Sequence, residues 1–446
     1  MLPLDAAVAR RPTVARSQVL VLALVLAMLA LLLPASSAQA ATSYDMEARY
    51  EVDVHLDWDT RLVRVKTAID LLNSSGGPVD RLELNAAPAK LAGLKDLRVR
   101  VDGQRVPAST TGQTIKVPLG KTLGDDATAR VWVSYKARLG TSAAGRGWFF
   151  AKLGGVAQIY RFIPWLSRRI PFGSGNHGEP WLTPVSPYVS VTVSADRKLV
   201  WATSGRRVAK LGPRSFRYVA TDVRDFNIAA SPGWRTVRGA SKDGRTTILA
   251  HTRRHDGKRL VRLAREELAR YAAITGVRYP HDTYRIAESG GGLAMESPAM
   301  IWIPASRAAY DHPYLVSHET AHQWWYSTVG NDQSRSAFAD EALADYFSRK
   351  ARLSLRSSRC GKDRLDREIR SYSEACYFEV VYIQGSNFLD KLRKDFGSAK
   401  FKAAIRDYTQ EYRHGIGSNS RLLEALRARL GDGVLKRYHG RFPSLY

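Results

Sequence analysis

The residues best equipped for chemistry are His318-Glu319-Thr320-Ala321-His322. On a helix, two imidazoles four positions apart project from one face and can grip a single cation. Glu319, between them, is angled toward the open side of that cation. Eighteen residues separate His322 from a further carboxylate, Glu341. Two His and one Glu form a ligand set suited to one Zn2+ and leave a fourth position for water. Such an ion lowers the pKa of its water to about 7 and polarises a scissile carbonyl. If both His bind from one helical face, Glu319 is left to act as general base toward the water, and then as proton donor to the leaving group.

These side chains need two helices. Tyr314-Leu315-Val316-Ser317 is an apolar lead-in, and Gln323-Trp324-Trp325 reads as a continuation of the first helix. The Gly330-Asn331-Asp332 cluster breaks it. A second helical pattern runs from about Ala337 to Leu353, with Ala339, Leu343, Tyr346 and Phe347 on one stripe and Glu341 on its flank. Asp345, one turn past Glu341, is a carboxylate that could orient a ligand His or simply be solvated.

Three motifs in order over roughly ninety residues resemble the M1 family of zinc aminopeptidases. The spacing of His318, His322 and Glu341 is that family's HExxH, eighteen residues, Glu. Gly292-Leu293-Ala294-Met295-Glu296-Ser297 is similar to the family's GxMEN motif, with Ser297 for Asn and one extra residue after the glycine. Tyr382-Ile383-Gln384-Gly385 is similar to Tyr-x-Lys-Gly, with Gln for Lys. The resemblance implies that Tyr382 donates a hydrogen bond to the oxyanion, with Tyr377 as the fallback. It also implies that Glu296 pairs with a substrate's free α-ammonium, holding the first peptide bond over the metal. Gly292 and Ala294 would line the substrate, the glycines at 290–292 letting the backbone approach it as an added strand. The implied form is short and two-domain: a β-sandwich or saddle-like domain, then a thermolysin-like, mainly helical catalytic domain. Any contacts to a substrate carboxylate from a larger helical domain would be missing.

The periodicity agrees with that α+β order. Alternating runs such as Arg49–Leu56, Val63–Leu71, Ala129–Tyr135 and Val189–Val193, separated by turn clusters, predict β structure over residues 41–238. From Asp256 to Thr275 the spacing of Leu260, Ala264, Leu268 and Tyr271 predicts a helix, followed by short strands at Thr283–Ala287 and Ala299–Ile303. The catalytic domain is therefore placed at 239–446.

Residues 1–40 read as a Sec-type signal peptide: Arg10, Arg11 and Arg16, the apolar run Val19–Leu33, then Ala38-Gln39-Ala40 as cleavage site. The expected location is extracellular or in the cell envelope, with membrane attachment only if the segment stays uncleaved. In an exported chain Cys360 and Cys376 read as one disulfide, which would contribute about 3 kcal/mol in the chain-entropy model, against two free thiols. The formal charge of +26 is spread along the chain. It favours anionic envelope polymers or acidic substrates, or is simply an Arg-rich solvated surface. No nucleic-acid-binding motif accompanies it. The primary reading is an exported zinc aminopeptidase acting on peptides with a free N-terminus. The competing readings are a zinc hydrolase of a non-peptide substrate and a basic envelope-associated binding module with a vestigial metal site.

Overall fold

The computed structural model describes residues 43–166, 183–349 and 360–446. The predicted signal segment and residues 350–353 of the second predicted helix lie outside these. Residues Thr42–Tyr446 form one compact unit. Among the described residues no helix is long and apolar enough to cross a membrane.

The N-terminal half is built from three sheets. In the largest, eight strands run in the order Arg206–Gly212, Ser215–Ala220, Val189–Ala195, Glu47–Asp57, Leu62–Leu72, Thr128–Arg138, Lys95–Val101 and Gln104–Val106. Alternation along Glu47–Asp57 buries every second residue, including Val52 and Val54, because successive side chains leave a strand on opposite faces. The central pairings are antiparallel except Glu47–Asp57 with Val189–Ala195, which is parallel. Two four-stranded sheets complete this half. One of them, containing Val156–Ile159 and Ile228–Ser231, shares a core with the catalytic half through Trp148, Phe149, Tyr160, Ala287, Met300 and Trp302.

A five-stranded sheet opens the catalytic half, in the order Arg235–Ala240, Thr247–Thr252, Thr283–Ser289, Met300–Pro304 and Met295–Ser297. Its first strand starts at Arg235, so the boundary placed between 238 and 239 falls inside a strand. Gly239 continues the ladder opposite Ile248 before the chain turns at 241–246. The two central strands are buried at every position, as expected of parallel strands covered on both faces. The helix Gly257–Thr275 is capped by Asp256, whose carboxylate accepts from the backbone of Lys258 and Arg259. It ends at Gly276 in the left-handed region.

The helix bearing the HExxH residues spans His312–Ala321 and does not run on through Trp325 as the sequence suggested. Its chain turns because the two tryptophans satisfy partners on different sides. Trp324 Nε1 donates to the carbonyl of Val277 (2.8 Å) and Trp325 Nε1 to Thr409 Oγ1 (3.0 Å). Behind the turn, Arg161 and Asp225 pair at 3.1 Å with both side chains almost wholly buried, and the Tyr326 hydroxyl donates to the same carboxylate. This ion pair ties the β half to the segment following His322. Removing one partner of such a pair strands a buried charge. Asp225→Ala should therefore lower unfolding stability by about 3–5 kcal/mol, read from the urea midpoint; an unchanged midpoint would contradict the bridge.

Candidate active site

The HExxH helix is held by two neighbouring elements, the helix Gly257–Thr275 and the sheet. Arg270 donates to Ser317 Oγ (2.7 Å), Ser317 donates to Glu267 (2.9 Å), and the Tyr271 hydroxyl donates to the Ser317 carbonyl (3.0 Å). From the sheet, Tyr284 and Thr320 share a 2.7 Å hydrogen bond between hydroxyls. His318, Glu319 and His322 are thereby held on a buried segment.

Glu341 meets them from a second helix. The distances are 3.3 Å from His318 Nε2 to Glu341 Oε2, 3.4 Å from His322 Nε2 to the same oxygen, and 3.4 Å between the two Nε2 atoms. Tetrahedral zinc bonds of about 2.0–2.1 Å space neighbouring donors roughly 3.3–3.4 Å apart. Among the described residues Glu341 Oε2 accepts no hydrogen bond although it is buried. A carboxylate oxygen without a hydrogen bond, nearly equidistant from two imidazole nitrogens, is a donor arrangement suited to a cation. The donor set therefore fits zinc.

Around these donors lies a supporting layer that sequence reasoning missed. His322 Nδ1 faces the carboxylate of Asp340 (2.9 Å) and the carbonyl of Trp325 (3.0 Å), which leaves Nε2 for a metal. Gln333 donates to both Asp340 Oδ2 (2.8 Å) and Glu341 Oε1 (3.1 Å), spacing the two carboxylates. The acidic pair Asp340-Glu341 was a visible signal; Gln333 had none. Asp345, considered as an orienting group, touches neither ligand His. Its carboxylate accepts from Tyr314 (2.7 Å), Ser386 (2.7 Å) and Arg349 (2.6 Å). The helical turn that separates it from Glu341 carries it past the metal donors.

Both segments bringing these groups inward are π-helical. Phe338–Ala342 holds Asp340 and Glu341, and Phe378–Gln384 holds Tyr382. An extra residue in one turn rotates the side chains that follow it, a device common at functional sites. The Tyr382 ring stacks on His318, with centroids 5.6 Å apart and planes at 20°, and burial, then the nearby Glu341 carboxylate, pushes its hydroxyl well above the usual tyrosine range. Tyr377 lies behind it, fully buried, its ring edge-on to that of Tyr382 with centroids 5.8 Å apart. Gly385 permits the approach of the two segments, since a Cβ there would lie 2.7 Å from the Ala342 Cβ. Gln384, where the resembled motif has Lys, points instead to the C-terminal segment. It accepts from Arg441 (2.9 Å) and from the backbone of Asp363 (3.2 Å). Cys360 and Cys376 lie in disulfide geometry, Cα atoms 5.6 Å apart, at the entrance to this segment.

Glu296 sits on the short edge strand Met295–Ser297, and its donor atom lies within 4.8 Å of those of Glu319 and His322. Its Oε1 is buried with no hydrogen-bond partner among the described residues. The Ser297 carbonyl accepts from Gln323 Nε2 (2.9 Å), whose Oε1 accepts from Ala299 N (2.9 Å) in a turn with positive φ. Ser297 Oγ accepts from Asn227 (2.8 Å), a residue of the β half. The departure from Asn at 297 thus has its own partner. Ala294 is half-buried just ahead of this strand, and Gly292 faces open space. The other two glycines serve packing, not substrate. A Cβ on Gly290 would strike the Leu153 carbonyl at 2.4 Å, and one on Gly291 the Trp148 ring at 2.4 Å.

Crowding decides the protonation. Burial, then the neighbouring Glu296, pushes the Glu319 carboxyl well above the usual range. Glu296 is pushed up to about 7, by burial first, with Glu341 and Asp340 adding to it against His322. For His322, burial is outweighed by Glu296, Asp340 and Glu341, which call for positive charge on the ring. A cation at Nε2 meets the same demand without a proton. Asp340→Asn should weaken zinc binding about 10–100-fold, measured by chelator competition; unchanged affinity would remove Asp340 from the supporting layer. Gly385→Ala should cost about 1–3 kcal/mol in unfolding stability and weaken zinc binding as well, because it pushes Glu341 and Tyr382 apart.

No family model matches this chain, and no curated protein matches it. Its likeness is to solved structures. An M1 zinc metallopeptidase from Deinococcus radiodurans superposes with a TM-score of 0.66 at 18% identity, covering 90% of this chain and 95% of that one. A mutant two-domain M1 zinc metallopeptidase bound to L-tryptophan gives 0.65 at 18% identity, covering 90% and 95%. A mutant of the Deinococcus radiodurans protein bound to a Tyr-Ser-Ala substrate gives 0.63 at 18%, covering 90% and 94%. From its first strands to its last helices, the chain has the fold of the two-domain M1 zinc metallopeptidases.

Proposed function

We propose that this chain is an exported zinc aminopeptidase, removing N-terminal residues from peptides. The observation that carries the reading is the placement of a buried, unpartnered Glu296 oxygen beside Glu319 and the His318–His322–Glu341 triangle. Solved structures of the same fold hold single amino acids and a Tyr-Ser-Ala substrate, which supports peptides as the substrate class. Export rests on the signal-like segment at residues 1–40 and agrees with a disulfide-capable cysteine pair.

His318, His322 and Glu341 would hold the zinc, which when bound supplies a water acidic enough to ionise near neutrality and a Lewis acid for the carbonyl. The remaining work falls to the chain. Glu296 takes the substrate's α-ammonium as a charge-assisted partner, so that only a free amino terminus satisfies its buried carboxylate. The strand Met295–Ser297 lies at the edge of its sheet, where a peptide backbone can add alongside. Glu319 accepts the proton of the attacking water and passes it to the leaving amine. Tyr382, stacked on His318, donates its hydroxyl hydrogen bond to the oxyanion.

The test uses purified, zinc-quantified protein on matched free and N-acetylated peptides. Glu319→Gln should keep its zinc and lose about 10²–10⁴-fold in kcat. Glu296→Gln should raise KM for free peptides while leaving zinc content unchanged. Equal cleavage of acetylated and free peptides would remove the aminopeptidase reading, and activity surviving in Glu319→Gln would remove the mechanism. No hydrolysis of any peptide by zinc-loaded protein would turn the reading to a non-peptide hydrolase or a binding module.

A further inference from the structure

The outer face of the eight-stranded sheet holds a hollow of about 890 Å³, formed without any residue of the active site. Its floor follows the strand register. Arg217 stands opposite Thr192, Thr192 opposite Asp53, Asp53 opposite Lys66, Lys66 opposite Ser134, and Ser134 opposite Arg98. One row further, Trp132 stands opposite Arg100. All these side chains leave the sheet on the face opposite the core.

A solvated sheet face ordinarily neutralises itself with cross-strand ion pairs. Part of this one does. Arg130 pairs with Glu51 (3.4 Å) and Asp70 (3.3 Å), and Lys136 with Asp96 (2.7 Å). The floor does not. Lys66, Arg98, Arg100 and Arg217 form no ion pair among the described residues, although Asp53 is Lys66's cross-strand neighbour. A concave surface with uncompensated cations focuses positive potential into the hollow. Trp132 and Tyr188 are also each 37% exposed at its walls, and the Arg130 guanidinium lies 5.4 Å from the Trp132 ring centroid. The two rings stand three strand spacings apart, roughly 14 Å.

We infer that this hollow binds an extended anionic polysaccharide. Its carboxylate or sulfate groups would meet the four free cations, and its sugar faces would lie against Trp132 and Tyr188. The central strands are hydrogen-bonded on both sides, so no free backbone is offered to an added peptide strand. Two rings so far apart are no platform for successive stacked bases. Recognition by side-chain charge and isolated aromatic faces is what remains. This binding is separate from peptide hydrolysis and does not depend on it.

The test uses the full chain with a size-defined heparin fragment as anionic glycan probe. Polyglutamate and oligo-dT of equal charge, and neutral dextran, serve as comparisons by calorimetry at two salt concentrations. The heparin fragment should bind more tightly than all three, and more weakly at higher salt. Arg98→Glu/Arg100→Glu/Arg217→Glu should lose about tenfold or more in affinity, and Trp132→Ala several-fold. Melting temperature and peptide hydrolysis should stay unchanged in both. Lys258→Glu/Arg262→Glu/Arg265→Glu, with the same change in net charge on an exposed helix of the catalytic half, should keep most of the binding. Equal losses in the two triple variants would mean that net charge alone attracts the probe, and overturn the site. Tighter binding of polyglutamate or oligo-dT through the same residues would overturn the polysaccharide as occupant, and no binding of the heparin fragment would overturn both.

Discussion

Five ionisable side chains, His318, His322, Glu296, Glu319 and Glu341, share one dry space, and Asp340 stands against them from behind. Charges cost several kcal/mol each to bury unless they are paired. Here the pairing is incomplete: among the described residues, one oxygen of Glu341 and one of Glu296 have no hydrogen-bond partner. The first faces two imidazole nitrogens at metal-donor spacing, and the second lies beside Glu319 and His322. The rest of the structure keeps the carboxylates from relaxing into bonds with one another.

That restraint comes from unusual backbone and from tight packing. The two π-helical segments aim Asp340, Glu341 and Tyr382 inward, and Gly385 lets those segments touch. Gln333 separates Asp340 from Glu341 with one amide, and Gln323 clamps the turn after Glu296 with another. The β half takes part. Asn227 holds Ser297, Leu153 and Trp148 close on Gly290 and Gly291, and Arg161 with Asp225 anchors the turn beyond His322. The edge strand that would receive substrate is thus positioned by both halves of the molecule.

Much of the architecture was legible. The alternating runs at 49–56, 63–71, 129–135 and 189–193 fall within strands, because one buried face imposes a period of two. Leu260, Ala264, Leu268 and Tyr271 line the buried side of their helix. The misreadings have specific causes. Gln323-Trp324-Trp325 has helical composition, yet each indole N–H needed a partner in a different direction, and the chain turned to supply them. The glycines at 290–292 suggest a backbone that comes close to substrate, but Gly290 and Gly291 approach Leu153 and Trp148 of the β half instead. Asp345 had a plausible spacing and was claimed by Tyr314, Ser386 and Arg349 instead.

From the sequence alone, two imidazoles one helical turn apart and the carboxylates in the motifs around them were enough to specify a metal-ligand set and its chemical type. Spacing along a helix is local geometry, fixed at 3.6 residues per turn whatever surrounds it. Distances between elements are not local. That the third donor lies 3.3–3.4 Å from the other two was decided only by packing. So was the choice of Asp340 over Asp345 behind a ligand His, and the union of an edge-strand Glu296 with the motif helix. These depend on how far two helices and a sheet edge can approach, which is set by a glycine, two glutamines and a buried ion pair far apart in the chain.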